Sequence, residues 1–260
     1  MMKWLKPISI FYFVSVAIML NLAAPTFSKT LFYDDFNDNR IGAKWLVGHA
    51  QQEKANTPQW VEAGGVLTQR EESSGDTTYA IVEDSSFPDA IGVRVKMRLE
   101  TWGDNDRARA GVSVWIDSND NYNGYTWLVH ERLTERNMEF LNDRRAWANQ
   151  EETFPVELNK WYWSSMFIDP GTGNISGKIW AVGDAEPANW LKTLAYASFG
   201  GVRQPKKLVG LNGGSGTVAS KANVVSFDDV IVFDSGGPDP LTAVEPAGKL
   251  ATLWGEIKSK

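Results

Sequence analysis

From Lys29 to Asp234 the chain alternates apolar and polar residues in short runs separated by turn residues, the period of strands with one buried face. The clearest run is Val93-Arg94-Val95-Lys96-Met97-Arg98-Leu99. Its apolar members fall on one face and its cations on the other, because successive side chains of a strand point opposite ways. Ala110 to Ile116 repeats the pattern, with Ala110, Val112, Val114 and Ile116 inward and Ser113 and Trp115 opposite. Further runs cover Tyr125 to His130, Met138 to Leu141, Trp161 to Ile168, Ile175 to Val182, Lys206 to Leu211 and Val224 to Phe233. Turn chemistry separates them at Asn123-Gly124, at Asp169-Pro170-Gly171-Thr172-Gly173 and at Gly213-Gly214-Ser215-Gly216. Helical periodicity is scarce in this stretch. The pattern predicts an all-β domain over residues 29–234, a two-sheet antiparallel sandwich.

The two ends read differently. Lys3 and Lys6 precede an apolar run from Ile8 to Ala24, and Thr26-Phe27-Ser28 supplies small residues at cleavage positions, which predicts a secretory signal peptide over residues 1–28. The other reading is an uncleaved anchor, for which the run is marginal against the roughly 20 residues of a membrane span. Ser235 to Pro240 reads as a linker opening a tail over 235–260, where Leu250, Leu253, Trp254 and Ile257 are spaced for a short amphipathic helix. The protein is expected to be secreted, periplasmic or at the cell surface, with no membrane span after signal cleavage.

Composition narrows the chemistry. A net charge of −6 argues against a nucleic-acid partner. The absence of Cys excludes disulfides, thiol catalysis and thiolate-bound zinc, and only two His all but exclude a metal site built from histidines. Twelve Trp are the marked excess. Indole rings stack on the C–H faces of sugars while polar neighbours bond the hydroxyls. Trp45, Trp60, Trp161 and Trp163 fall where a sandwich needs bulk, and Trp115 and Trp127 are the better candidates for exposure.

Three segments together give the chain a family likeness. Phe32-Tyr33-Asp34-Asp35-Phe36-Asn37-Asp38 with Trp45 opens it, Trp60-Val61-Glu62-Ala63-Gly64-Gly65-Val66-Leu67 follows, and Val225 to Phe233 closes it. They resemble the concanavalin A-like lectin/glucanase superfamily, which includes laminin G-like modules and family-16 glycoside hydrolases. Ala110 to Trp115, followed by Asp120 to Tyr125, is similar to the central hairpin of its sugar-directed members. The likeness implies a jelly roll whose last strand pairs beside its first. It also implies a structural calcium ion, where the first hairpin meets the last strand, at the positions Asp35, Gly64 and Asp228. Asp228 as the plain cap of an edge strand is the competing reading.

The Glu-x-Asp-x-(x)-Glu strand of the superfamily's hydrolases is absent; the acids here are adjacent pairs, or spaced by four as at Glu131, Glu135 and Glu139. The residues therefore point first to a carbohydrate-binding face made of Arg94, Arg98, Trp115, Tyr125, Trp127 and His130, with a glycan or polysaccharide as partner. Against it stands a second core in which these rings are merely covered. A polysaccharide hydrolase or lyase of the same fold is the alternative, the lyase drawing on Tyr125, His130, Arg132 and Arg136. A structural surface protein without sugar affinity is the third.

Overall fold

The computed structural model describes residues 29–43, 45–49, 60–70, 76–82, 84, 86–102, 108–117, 123–131, 136–142, 146–200, 208–215 and 223–238. The expected signal peptide, the tail beyond Pro238 and Arg132 lie outside them. Within these residues the chain forms β1 (Thr30–Asp34), β2 (Trp45–His49), β3 (Trp60–Ala63), β4 (Val66–Gln69), β5 (Asp76–Val82), β6 (Ile91–Thr101), β7 (Arg109–Asp117) and β8 (Asn123–Glu131). There follow β9 (Arg136–Asn142), β10 (Ala146–Trp147), β11 (Glu152–Thr153), β12 (Trp161–Asp169), β13 (Asn174–Ala181), β14 (Lys192–Ala195), β15 (Leu208–Ser215) and β16 (Val224–Phe233). A single 3-10 turn at Tyr196–Phe199 is the one helical piece among the described residues. No helix among them is long and apolar enough to cross a membrane.

The strands make two antiparallel sheets. Sheet A runs β14-β13-β12-β6-β16-β4-β3, with β1 also on β16; sheet B runs β10-β9-β8-β7-β15-β5-β2, with β11 also on β9. The first strand pairs with the last, Tyr33 opposite Ile231, as the family likeness implies. The core lies between the sheets and follows the alternation: Val93, Val95, Met97 and Leu99 from β6 meet Ala110, Val112 and Val114 from β7 and Val209 and Leu211 from β15. Asp169 to Gly173 closes the β12–β13 hairpin as expected, the Gly173 N–H donating to the Asp169 carbonyl at 2.9 Å.

Two expected turns are strand instead. Gly213, Gly214 and Ser215 continue β15 and pair with Thr78, Thr77 and Asp76, and Asn123 and Gly124 begin β8. Glycine marks a close approach here and not a bend: a Cβ on Gly213 would sit 3.1 Å from the Gln69 side chain, and one on Gly124 would sit 3.0–3.1 Å from β7 backbone.

Gly177 on β13 shows the same thing between the layers. A Cβ there would lie 2.4 Å from the Trp127 ring of the opposite sheet. The largest fully buried side chain of the core is accommodated only because its facing residue has no side chain.

Candidate functional site

The six residues expected to form one glycan face occupy three different layers. Trp127 and Tyr125 share a face with Val129, but that face is the core: both are fully buried, with Trp127 against Phe140 at 4.6 Å between ring centroids. The Tyr125 hydroxyl donates to the Gly200 carbonyl at 2.7 Å. Trp115, expected on the opposite face, is only 8% exposed. A bulge interrupts the β7–β8 register after Val114, and Trp115 there takes a positive φ of 58°. The extra residue reverses the alternation, so the ring turns in against Tyr125 and Tyr196 and its N–H donates to the Asp89 carbonyl at 2.9 Å. The expectation that Trp115 and Trp127 are exposed is thus corrected. Arg94 and Arg98 lie on the outer face of sheet A, and His130 on the outer face of sheet B.

The outer face of sheet A is built by register. Arg98, Lys96 and Arg94 on β6 stand opposite Trp161, Trp163 and Ser165 on β12, and Trp163 and Ser165 in turn face Trp180 and Lys178 on β13. Each cation lies over an indole: Arg98 over Trp161 at 4.6 Å, Lys96 over Trp163 at 5.3 Å, Arg94 over Trp180 at 5.1 Å, and Lys178 over Trp190 at 4.8 Å. Glu186 joins the ladder, reaching Arg94 and, at 2.6 Å, Lys178. Trp163 and Trp180 are buried by this packing. Trp161, expected in the core, is instead half-buried at the edge of a cavity.

That cavity, about 620 Å³, is where sheet A meets the opening loop and the β3–β4 hairpin. It is lined by Asp35, Gly64, Lys96, Arg98, Trp161, Asp228 and Asp229 among others. The three residues expected to hold calcium are therefore brought to one place, together with Arg98. A bulge in β16 after Asp228, with Asp229 at φ 49°, aims both aspartates at the face. Lys96 then stands between them: its ammonium contacts the Asp229 carboxylate and lies 3.6 Å from Asp228 Oδ2. Burial pushes the Asp228 carboxyl up, with the Asp229 charge adding to it. Burial pulls the Lys96 ammonium down, but the two carboxylates outweigh this and leave it above the usual lysine value. Tyr33 donates to Asp229 Oδ1 at 2.5 Å, and its hydroxyl is raised, by burial first and then by that carboxylate.

Calcium requires six to eight oxygens with nothing else between them. Here an internal ammonium already supplies the positive charge, so the aspartate pair does not fit a calcium ion as it stands.

The opening loop carries another carboxyl cluster. Gly64 N–H donates to Asn39 Oδ1 at 2.9 Å, docking the loop on the hairpin, and Asp34 accepts from the Trp45 indole N–H at 2.8 Å. Glu62, 7% exposed, is pushed up to about 7 by burial and by its hydrogen bond with Asp38, against a backbone N–H of Arg40.

On the outer face of sheet B, His130 on β8 pairs with Arg109 on β7 and Asn137 on β9, and Glu139 lies two residues further along β9. Trp147 covers the imidazole at 4.7 Å, with Arg109 over the indole at 5.1 Å. The sequence sets Glu139 aside as one of three acids spaced by four, although its place between Met138 and Phe140, both core residues, signals an outward carboxylate beside the histidine strand. Tyr125 and His130, paired in the lyase reading, fall on opposite faces of β8.

No family model matches this sequence, and no curated protein matches it. Solved structures do. The xylan β-1,4-xylosidase of Bacillus halodurans C-125 matches with a TM-score of 0.52 at 16% identity over 79% of this chain and 40% of that one. The cellulose-induced protein Cip1 matches at 0.51 and 12%, over 77% of this chain and 96% of the other. The carbohydrate recognition domain of Emp47p matches at 0.51 and 13%, over 80% and 96%. This chain spans about two fifths of the xylosidase's length. At such identities the likeness is one of architecture alone, and with the two-sheet order and the first strand beside the last it gives the fold, a two-sheet antiparallel jelly roll.

Proposed function

We propose that this protein is an exported carbohydrate-binding protein and that the cavity on the outer face of sheet A receives the sugar. One observation carries the reading: the cavity brings an indole wall, Trp161, together with donors on Lys96 and Arg98 and acceptors on Asp35 and Asp228. An apolar ring face needs the first, and hydroxyls need both of the others. Three aspartates line the cavity against two cations, so a uronate would meet net repulsion, and a neutral glycan is the class that fits. The fold shared with the carbohydrate recognition domain of Emp47p supports recognition as the role. Export rests on the charged, apolar and small-residue segments of 1–28.

Hydrolysis by the sheet B carboxylates is the weaker reading, because Glu139 is fully buried and withdrawn from any substrate. Titration of the protein with neutral oligosaccharides from several polysaccharide classes tests the proposal. Trp161→Ala is expected to weaken binding at least tenfold while the melting temperature holds. Failure of every neutral glycan to bind, or full binding by the variant, overturns it. Release of reducing ends would move the reading from binding to hydrolysis.

A further inference from the structure

We propose that His130, Glu139 and Glu151 form a site for a divalent transition-metal ion of the zinc class on the outer face of sheet B. This site is independent of the sugar cavity on sheet A. Its central observation is the histidine. His130 is fully buried, yet neither ring nitrogen makes a hydrogen bond. Buried polar atoms are nearly always satisfied, so an open Nε2 beside two carboxylate oxygens calls for a ligand.

The geometry supplies one. Nε2 lies 3.1 Å from Glu139 Oε2 and 4.0 Å from Glu151 Oε1, and the three ligand atoms lie within 4.8 Å of one another. With metal–ligand distances of about 2.0–2.2 Å, ligand atoms of a tetrahedral zinc site stand roughly 3.3–3.6 Å apart, a spacing these two separations bracket. At 3.1 Å the imidazole is near enough to bond Glu139 directly, so what fails is the angle. An ion pair would aim N–H at oxygen. Co-ligands of one ion aim at a point between them, and neither then lies on the other's axis.

The second oxygen of each carboxylate is already anchored. Glu139 Oε1 accepts from the Gln150 N–H at 3.1 Å, and Glu151 Oε2 accepts from Asn137 Nδ2 at 2.8 Å. These bonds orient Glu139 Oε2 and Glu151 Oε1 towards the imidazole, as outer-shell partners orient metal ligands. Trp147, packed on the ring at 4.7 Å, fixes its plane. A nitrogen donor beside carboxylate oxygens selects zinc over calcium or magnesium. His130 and Glu139 are sealed, but the Glu151 side chain is 34% exposed, so solvent reaches the fourth position from that side.

The test is calorimetric titration of the chelator-treated, tag-free full chain with ZnCl2 and, in parallel, CaCl2, with thermal denaturation and Co2+ absorption spectra alongside. One zinc per chain is expected. At a hundredfold excess over Kd the melting temperature should rise by about 5 °C or more, with no comparable calcium response. Co2+ should give tetrahedral absorption bands. Glu151→Gln, at the solvent edge, should leave the metal-free melting temperature unchanged and weaken zinc binding at least tenfold. His130→Asn should abolish binding, while His49→Gln, removing the other histidine, should retain it. If His130→Asn does not fold, Glu151→Gln decides the matter. Absence of stoichiometric zinc binding, or undiminished binding by Glu151→Gln, overturns the site.

Discussion

Gly177→Ala puts the packing between the sheets to a direct test. The added Cβ would meet three Trp127 ring atoms, at 2.4, 2.7 and 2.8 Å. Ordinary carbon–carbon contact is about 3.5–4.0 Å, so the ring or the strand must retreat by roughly 1 Å or more. Trp127 cannot yield easily, being fully buried with Phe140 against it. Gly177 also has an ordinary strand φ, so no backbone strain confuses the effect. Overpacking of this kind costs about 1–3 kcal/mol, and a rigid indole places the expected loss near the top of that range. For a domain of this size that is a fall in melting temperature of roughly 5–10 °C. Trp127→Leu alone should cost about 3 kcal/mol through the space it opens. The double variant should cost clearly less than the sum, because the new methyl then occupies vacated volume. Urea denaturation of all four proteins gives the coupling energy. A Gly177→Ala variant within about 0.5 kcal/mol of the parent, or strict additivity in the cycle, would refute the contact.

Three further outcomes follow from the charged groups. Lys96→Met removes the cation between Asp228 and Asp229 and should cost about 1–2 kcal/mol, discounted for a site that is a quarter exposed; calcium should then raise the melting temperature of the variant and not of the parent. Glu186→Ala leaves Arg94, whose side chain is 3% exposed, without its counter-ion, and should destabilise by about 1–2 kcal/mol in urea melts; Lys178→Met, which keeps that pair, should cost less. Glu62, with its carboxyl raised from 4.5 to about 7, keeps a proton in the folded state that the unfolded chain has lost. Its contribution is therefore complete below about pH 4.5 and falls away as pH rises through 7, and Glu62→Gln should flatten the melting-temperature profile across that window.

The architecture was legible because alternation is a strong signal wherever one strand face is buried. Val93 to Leu99 and Val224 to Phe233 became strands as read, and the opening and closing segments do pair. The glycines at 124, 213 and 214 misled, since the same residue serves a bend and a tight interstrand approach. The site was far less legible. Trp115 was misplaced by one extra residue: a bulge inverts every inference of face beyond it, and nothing in Val114-Trp115-Ile116 announces one. Trp127 was assigned to the right set of neighbours, but alternation alone does not say which set faces the other sheet. The ladder of cations over indoles depends on β6 lying beside β12, a pairing of residues more than sixty positions apart. Glu151 reaches His130 from the segment between β10 and β11, outside any strand pattern.

The place of β16 has a bearing on how the molecule is made. Val224–Phe233 is the last of the sixteen described strands to emerge from the ribosome, yet it lies inside sheet A, bonded to β6 on one side and to β4 and β1 on the other. Until it arrives, β6 offers an unpaired margin and the N-terminal strand has no partner. Closure of sheet A must wait until Phe233 has been made, as expected of a topology dominated by distant pairings. A nascent chain that stays open so long suits the export proposed above, and is equally exposed to strand-mediated association should synthesis stall before Val224.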